Sequence, residues 1–223
     1  EDVEQVLCYL ALGHCCENDQ ISSAKYEQML KEKKPNSGVA FRLSGLIKQE
    51  QGEYHEALLL FDKAIAAGED KAEMLFFKGE IYSDNLDKQA EALEFFREAI
   101  KLDPDFIGVE YAIGLAYYRL DQHKEALPYF EKAMLSESQE KQLVYYHKAE
   151  CLRVLGKNSK AIDDYNHAIQ LNPSDGYSYH GNGWALMELK RYVEAIENFD
   201  AAIANDVSDA MIYFRKGSCL QEL

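Results

Sequence analysis

The sequence has 223 residues, of which 47% are hydrophobic and 28% are charged, and its net charge is −15, from 39 acidic and 24 basic residues. This apolar content is sufficient to bury a core and excludes a disordered tail. The acidic excess repels nucleic-acid phosphates and anionic lipids, which favours neutral or basic partners over nucleic acid or membrane.

The five cysteines are odd in number and include no C-x-x-C pair. Their spacing predicts neither a disulfide framework nor a zinc site, and it favours a reducing, cytoplasmic compartment. The longest early apolar run, residues 7–12, is too short to span a bilayer, so we expect no membrane helix. The chain begins with Glu1 rather than Met, which is consistent with a piece of a longer protein.

Residues 1–37 have a helical pattern that fits the rest of the chain poorly, and we interpret them as a degenerate N-terminal helix pair. Within them, His14, Cys15 and Cys16 are consecutive. Consecutive side chains on a helix diverge by about 100° and cannot converge on one ion. We therefore expect no metal site.

From residue 38 onward, an alanine followed four residues later by an aromatic residue and three later by another alanine recurs at spacings of 35, 34, 35 and 34 residues. A small residue lies twelve positions upstream of four of these motifs, and Gly79 lies thirteen upstream of the second. The five motifs are Ala57-Phe61-Ala64, Ala92-Phe96-Ala99, Ala126-Phe130-Ala133, Ala161-Tyr165-Ala168 and Ala195-Phe199-Ala202.

Each repeat is predicted to be two helices, because the motif places its three residues on one helical face. The small residue lets the second helix approach the first. Turns are expected at Gly52, Asp84-Asn85, Asp121 and Gly156, and Pro104 and Pro173 end helices. The predicted repeats are 38–71, 72–106, 107–141, 142–175 and 176–209, with 210–223 as the first helix of a sixth repeat or a capping helix.

The repeats resemble the tetratricopeptide repeat, whose signature is W-x2-L-G-x2-Y followed by A-x3-F and a proline. The second repeat carries this pattern as Gly79, Tyr82, Ala92, Phe96 and Pro104. The resemblance implies an all-α fold of tandem helix-turn-helix repeats, stacked as a right-handed α-solenoid superhelix. It also implies a protein–protein interaction scaffold without cofactors or catalytic activity, whose concave face is lined by the first helices.

Counting from the small residue of each first helix gives the residues expected on that concave face. They are aromatic, with arginine and histidine interspersed, and these types dominate binding hot spots. The alternative is that the rings only pack against neighbouring helices. The predicted groove residues are Arg42, Phe76, Tyr111, Tyr118, Tyr146, His147, Arg153, His180, Trp184, Phe214 and Arg215.

Some tetratricopeptide domains hold a chaperone's C-terminal carboxylate in a clamp that needs Asn directly after the small residue. The first four repeats have hydrophobic or acidic residues there, which argues against that mode. Gly181-Asn182-Gly183 follows no strand, so helix packing explains it better than a nucleotide loop. Asp163 and Asp164 are expected to be solvated.

Two other functions stay open. The chain could be a targeting or substrate-recognition module of a larger enzyme or complex, or, as a distant third, it could bind single-stranded RNA through its helical repeats. No P-loop, nucleophile elbow or H-E-x-x-H motif occurs, so we expect no active site within this chain.

Overall fold

A computed structural model describes residues 37–135, 141–207 and 209–223 continuously, together with isolated positions between 25 and 36. The predicted N-terminal helix pair over 1–37 therefore lies almost entirely outside the described residues. Residues 136–140, around the boundary between the third and fourth predicted repeats, also lie outside them.

All regular structure in the described ranges is helical, which confirms the predicted all-α fold class. The helices are α1 (Gly38–Glu50), α2 (Tyr54–Ala66), α3 (Lys71–Glu80), α4 (Gln89–Leu102), α5 (Val109–Arg119), α6 (His123–Ala133), α7 (Lys141–Val154), α8 (Asn158–Leu171), α9 (Gly176–Glu188), α10 (Tyr192–Ala204) and α11 (Ala210–Glu222). Within the same ranges, none of these helices has the length and apolar character needed to cross a lipid bilayer.

The chain forms two compact units, Glu1–Phe106 and Ile107–Leu223. In unit 1, α1 packs on α2, α2 on α3, and α3 on α4. In unit 2, every helix from α5 to α11 packs on the next one, and α5, α7, α9 and α11 also contact one another in series. The first helices of unit 2 therefore form a continuous layer.

In four of the six first helices, a side chain at the N-terminal end fixes where the helix begins. Ser37, Asp70, Asp175 and Asp209 each accept a hydrogen bond from a backbone N–H in the first turn of the helix that follows. Between the two helices of each pair, one residue has left-handed backbone geometry. These five residues are Gly52, Asp87, Asp121, Gly156 and Lys190.

The alanine and aromatic residues of the repeat motif form the core. All fifteen are at most 4% exposed, and the five aromatic side chains are at most 1% exposed. In four repeats a first-helix glycine faces the motif's ring so closely that a Cβ there would lie 2.4–2.8 Å from a ring carbon. The glycine–ring pairs are Gly45–Phe61, Gly79–Phe96, Gly114–Phe130 and Gly183–Phe199.

The second repeat accommodates its extra residue in a π-helical turn, Ile81–Asn85, which extends α3. The prediction of a turn at Asp84-Asn85 is therefore wrong, because these residues are still helical. The chain reverses instead at Asp87, whose φ is 52°. Gln89 is buried beside the π-helical turn, where its amide donates to the Ser83 carbonyl at 2.8 Å and accepts from the Ser83 hydroxyl at 2.9 Å.

Candidate functional site

The two predicted groove residues of unit 1 have partners within that unit. The guanidinium of Arg42 pairs with Glu69 at 3.2 Å and with Glu73 at 3.0 Å. The ring of Phe76 lies 5.8 Å from that of Phe96 and 5.3 Å from that of Phe106, measured between centroids. Their charge and ring surface are therefore used largely in packing unit 1.

In unit 2, three predicted residues lie around a fourth, His147, and we call these four residues the His147 cluster. The ring centroid of His147 lies 5.8 Å from that of Tyr111, 5.3 Å from that of Tyr118 and 5.0 Å from that of Tyr146. It also stacks on the core ring of Phe130 at 6.1 Å. The phenol oxygen of Tyr111 lies 3.2 Å from Nδ1 of the histidine. Through these rings, the side chains of α5 contact those of α7.

The low-polarity surroundings of this cluster keep its members neutral. Burial lowers the pKa of His147 and outweighs the opposing effects of its hydrogen bond to the Leu143 carbonyl and of the Glu150 carboxylate. Burial also raises the pKa of Tyr118 and of Tyr146 above the ordinary tyrosine value. The cluster therefore presents uncharged rings at neutral pH.

Three further predicted residues surround Trp184, the only tryptophan of the chain, and we call these four residues the Trp184 cluster. The guanidinium carbon of Arg153 lies 3.9 Å from the centre of the indole ring, and that of Arg215 lies 3.6 Å from it. The ring of His180 is stacked at 25° to the indole, with centroids 6.4 Å apart. Three successive first helices, α7, α9 and α11, thus contribute to one contact.

Two residues outside the predicted set hold Arg153 in place. Glu150 pairs with its guanidinium through both carboxylate oxygens, at 2.7 and 3.3 Å, and also accepts a hydrogen bond from the Tyr165 hydroxyl. Burial lowers the pKa of Arg153, but the hydrogen bond and charge of Glu150 outweigh it, so the pKa is raised overall. Arg153 is therefore charged and oriented, and its charge is compensated by Glu150.

Sequence reasoning assigned Tyr165 to the core motif and passed over Glu150. One signal was available, because the other four repeats have Phe at the position of Tyr165, and a buried phenol needs a partner. Tyr165 also packs against Gly181 of α9, where a Cβ would lie 2.5 Å from the phenol ring. This contact accounts for Gly181 by helix packing, in line with the sequence interpretation.

Phe214 and Arg215, the last two predicted residues along the chain, are adjacent but differ in exposure. Phe214 is 70% exposed, whereas Arg215 is 9% exposed and contacts His180 and Trp184. Asp164 likewise departs from expectation. It is 7% exposed and pairs with Lys148 at 3.0 Å, so the prediction that it is solvated is wrong, while Asp163 is exposed.

Neither cluster has the composition of a metal site. Among the described residues, no three His, Cys, Asp or Glu side chains are arranged to hold an ion. Cys151 of α7 is fully buried, and burial raises the pKa of its thiol to about 12, so it is not a reactive thiolate at neutral pH. The arrangement offers rings, guanidinium groups and hydrogen-bonding edges, which suit binding rather than bond-making chemistry.

Three sequence profiles described as tetratricopeptide repeat match residues 43–105, 111–139 and 143–175. Together they cover more than half of the chain and include both units. The chain belongs to the tetratricopeptide repeat family. The family assignment predicted from the repeat arithmetic is therefore confirmed.

Curated and solved relatives of this tetratricopeptide repeat chain agree with that assignment. Tetratricopeptide repeat protein 13 of Homo sapiens is 29% identical over 131 residues, which are 57% of this chain but only 15% of that protein. Among solved structures, the APC/C hetero-tetramer Cut9–Hcn1 matches with a TM-score of 0.79 at 17% identity, covering 97% of this chain and 42% of that one.

A further solved structure, YrrB, is titled a TPR protein with an unusual peptide-binding site. It matches with a TM-score of 0.70 at 19% identity, covering 86% of this chain and 97% of that one. At these identities the structural likeness shows the tetratricopeptide solenoid fold and nothing finer. Tetratricopeptide repeat proteins are in general protein–protein interaction scaffolds, and the structural neighbours are typically non-catalytic.

Proposed function

We propose that this chain binds a peptide or protein segment along the face that its first helices form in unit 2. The occupant would lie against the His147 cluster and the Trp184 cluster. The resemblance to tetratricopeptide repeats implies that this face is the concave one. The chain would act as a scaffold, with no chemistry of its own.

One observation carries the proposal: the contact of Trp184 with two arginine side chains from neighbouring first helices. Tryptophan and arginine are the residue types most enriched among binding hot spots. The indole is itself only partly buried by its own unit, so part of its surface stays open to a partner. The internal contacts also hold these side chains in one geometry before binding, which reduces the entropy that a partner must overcome.

A double substitution tests this proposal. Trp184→Ala with Arg153→Ala removes one aromatic and one arginine from the surface, and we expect partner binding to weaken by at least about 2 kcal/mol. The partner is captured from the native source with the wild-type chain, and its affinity for each variant is then measured by titration calorimetry. The fold should survive because no residue of the alanine–aromatic motif changes.

The matched control also removes one aromatic residue and one arginine, at other positions on unit 2. Tyr177 is 61% exposed, and Arg191 is exposed and paired with Glu194. Tyr177→Ala with Arg191→Ala should leave the affinity unchanged, and circular dichroism checks that both double variants are folded. Wild-type affinity in the Trp184 and Arg153 variant would place the binding surface elsewhere.

A second function is a targeting or recognition module within a larger enzyme or complex. It is favoured by the small share of the human relative that this chain spans, 15% of its length. The binding surface would be the same in both cases. The complete reading frame discriminates between them, since a catalytic domain beside the repeats would identify the chain as a module.

A further inference from the structure

Arg215 has an unusual electrostatic position. The residue is 9% exposed, and its guanidinium donates to Nε2 of His180 at 3.0 Å and contacts the Trp184 ring. No carboxylate of the described residues lies within 4.0 Å of this guanidinium. Buried arginine side chains are usually paired with an acidic group, because an uncompensated buried charge is costly.

No carboxylate of the described residues makes an ion pair with Arg215, although Asp209, Glu150 and Glu188 act on its charge from beyond 4.0 Å. Arg153 is the nearest cation on the same indole, but its charge is already taken up by Glu150. Burial and the charge of Arg153 lower the pKa of Arg215 and outweigh the opposing charges of Asp209, Glu150 and Glu188. Burial together with the charge of Arg215 lowers the pKa of His180. The nearby carboxylate of Glu188 is exposed and accepts from the indole Nε1 at 3.3 Å.

We propose that Arg215 is the receptor for a carboxylate of the bound partner, which would occupy the uncompensated side of the guanidinium beside Trp184. This inference rests on the proposed function of the same face. A guanidinium has five N–H donors in a planar fork that matches a carboxylate, and only one hydrogen-bond partner, His180, is provided by the described part of the chain.

The charge balance favours a singly charged group. Arg153 and Glu150 compensate each other, and burial keeps His180 neutral, so Arg215 is the cation of this site without an ion pair, with Asp209 and Glu188 acting on it only from beyond 4.0 Å. The exposed Glu188 and the overall charge of −15 oppose any occupant with further negative charge. The predicted occupant is therefore a neutral or basic segment with one carboxylate, from an Asp or Glu side chain or from its C-terminus.

This site differs from the chaperone clamp considered from the sequence. That clamp depends on Asn directly after the small residue of its first repeat, a position that is hydrophobic or acidic in the first four repeats of this chain. The present site lies on α9 and α11. It consists of the Trp184 indole and of Arg215, whose guanidinium stacks on that ring and makes no ion pair with the described residues. It would recognise one acidic group within a segment whose remaining contacts are made by the rings of unit 2.

The test selects ligands from random peptide libraries with the full chain. One library has acetylated and amidated ends, and the other has a free C-terminus, so that the two sources of a carboxylate are separated. We expect wild type to enrich peptides with one acidic residue, or with the free terminus. Replacing that Glu by Gln, that Asp by Asn or that terminus by an amide should weaken binding about tenfold or more.

Protein variants are then measured against the same acidic and neutral peptide forms, which gives a double-mutant cycle between protein and peptide. Arg215→Gln should bind the acidic and neutral peptides equally, and Arg215→Lys, which keeps the charge but not the fork, should discriminate less than wild type. Arg191→Gln removes an exposed arginine as a control and should retain full discrimination. Emission from Trp184, the only tryptophan of the chain, should change on binding of the acidic peptide to wild type.

Each outcome decides a separate point. Selection of peptides without acidic enrichment, or equal wild-type affinity for the acidic and neutral forms, would overturn this inference and leave the proposed function intact. Failure of wild type to retain any peptide would contradict the proposed function and this inference with it. If Arg215→Gln does not fold, the comparison of peptide forms on wild type still decides the question.

Discussion

Gly114 on α5 faces the ring of Phe130 on α6 so closely that a Cβ at the glycine would lie 2.7 Å from a ring carbon. The ring is completely buried, and protein interiors are close-packed, so it can move aside only at a cost. The absence of a side chain at Gly114 is therefore what allows the two helices to approach each other. By contrast, a Cβ at Gly217, the equivalent glycine of α11, would meet nothing within 4 Å.

These two glycines give opposite predictions for the same substitution. Alanine is favoured over glycine inside a helix by up to about 1 kcal/mol, so Gly217→Ala should stabilise the chain by up to that amount. Gly114→Ala should instead destabilise it by about 1–3 kcal/mol, because the added methyl overpacks a full core. Urea unfolding measures both changes. Equal effects at the two positions would contradict the packing described for Phe130.

Truncating the ring tests the same contact from the other side. Phe130→Ala should cost about 3–5 kcal/mol, since it empties a fully buried site. In a repeat array each repeat is stabilised by packing on its neighbours. Faster amide exchange should therefore appear first in α5 and α6 and in the helices they contact. Phe214→Ala is the control and should change stability by less than about 0.5 kcal/mol, because that ring is 70% exposed. Uniform loss of protection along the chain would argue against regional stability.

The repeat motif predicted the helix pairs and the core because spacing alone determines which residues share a helical face. It could not place the two clusters, since their contacts join side chains from different first helices. The offset rule included Phe214 and Arg215 together, yet adjacent side chains on a helix diverge by about 100°, so only Arg215 reaches Trp184. The periodic pattern shows only that the second repeat has one extra residue, so it could not predict the π-helical turn after α3.

The partly buried His147 predicts an acid-sensitive fold. Burial lowers its pKa below the ordinary value of 6.5, so in the unfolded chain it binds a proton at a higher pH than in the folded protein. The stability that depends on neutral His147 is therefore complete above pH 6.5 and is lost as the pH falls from there through the lowered pKa. His180 shifts in the same direction.

We expect the midpoint of thermal unfolding to fall on acidification below pH 6.5, and to fall less steeply in His147→Phe, which keeps a ring in the cluster. Titration of the His147 ring protons by nuclear magnetic resonance measures the pKa directly. A pKa above 6.5 in the folded protein would show that the hydrogen bond to the Leu143 carbonyl and the charge of Glu150 outweigh burial, and it would reverse the expected sign.

The Trp184 cluster predicts a local spectroscopic change. Because guanidinium groups of Arg153 and Arg215 cover part of the indole, either Arg153→Ala or Arg215→Ala should increase the quenching of tryptophan emission by acrylamide. Arg191→Ala removes an exposed arginine that pairs with Glu194 and should leave the quenching unchanged. Trp184 is the only tryptophan, so the signal reports this site alone.

The energetic counterpart is a double-mutant cycle between Arg215→Ala and Trp184→Ala. A guanidinium in contact with an indole contributes about 0.5–2 kcal/mol, so the cost of the double variant should be smaller than the sum of the single costs by that amount. Arg215 is chosen over Arg153 because removing Arg153 also leaves Glu150 without its cation, which would add a second effect to the cycle. Additive costs would mean that the two side chains lie close without stabilising each other, and the indole would then be held by α9 packing alone.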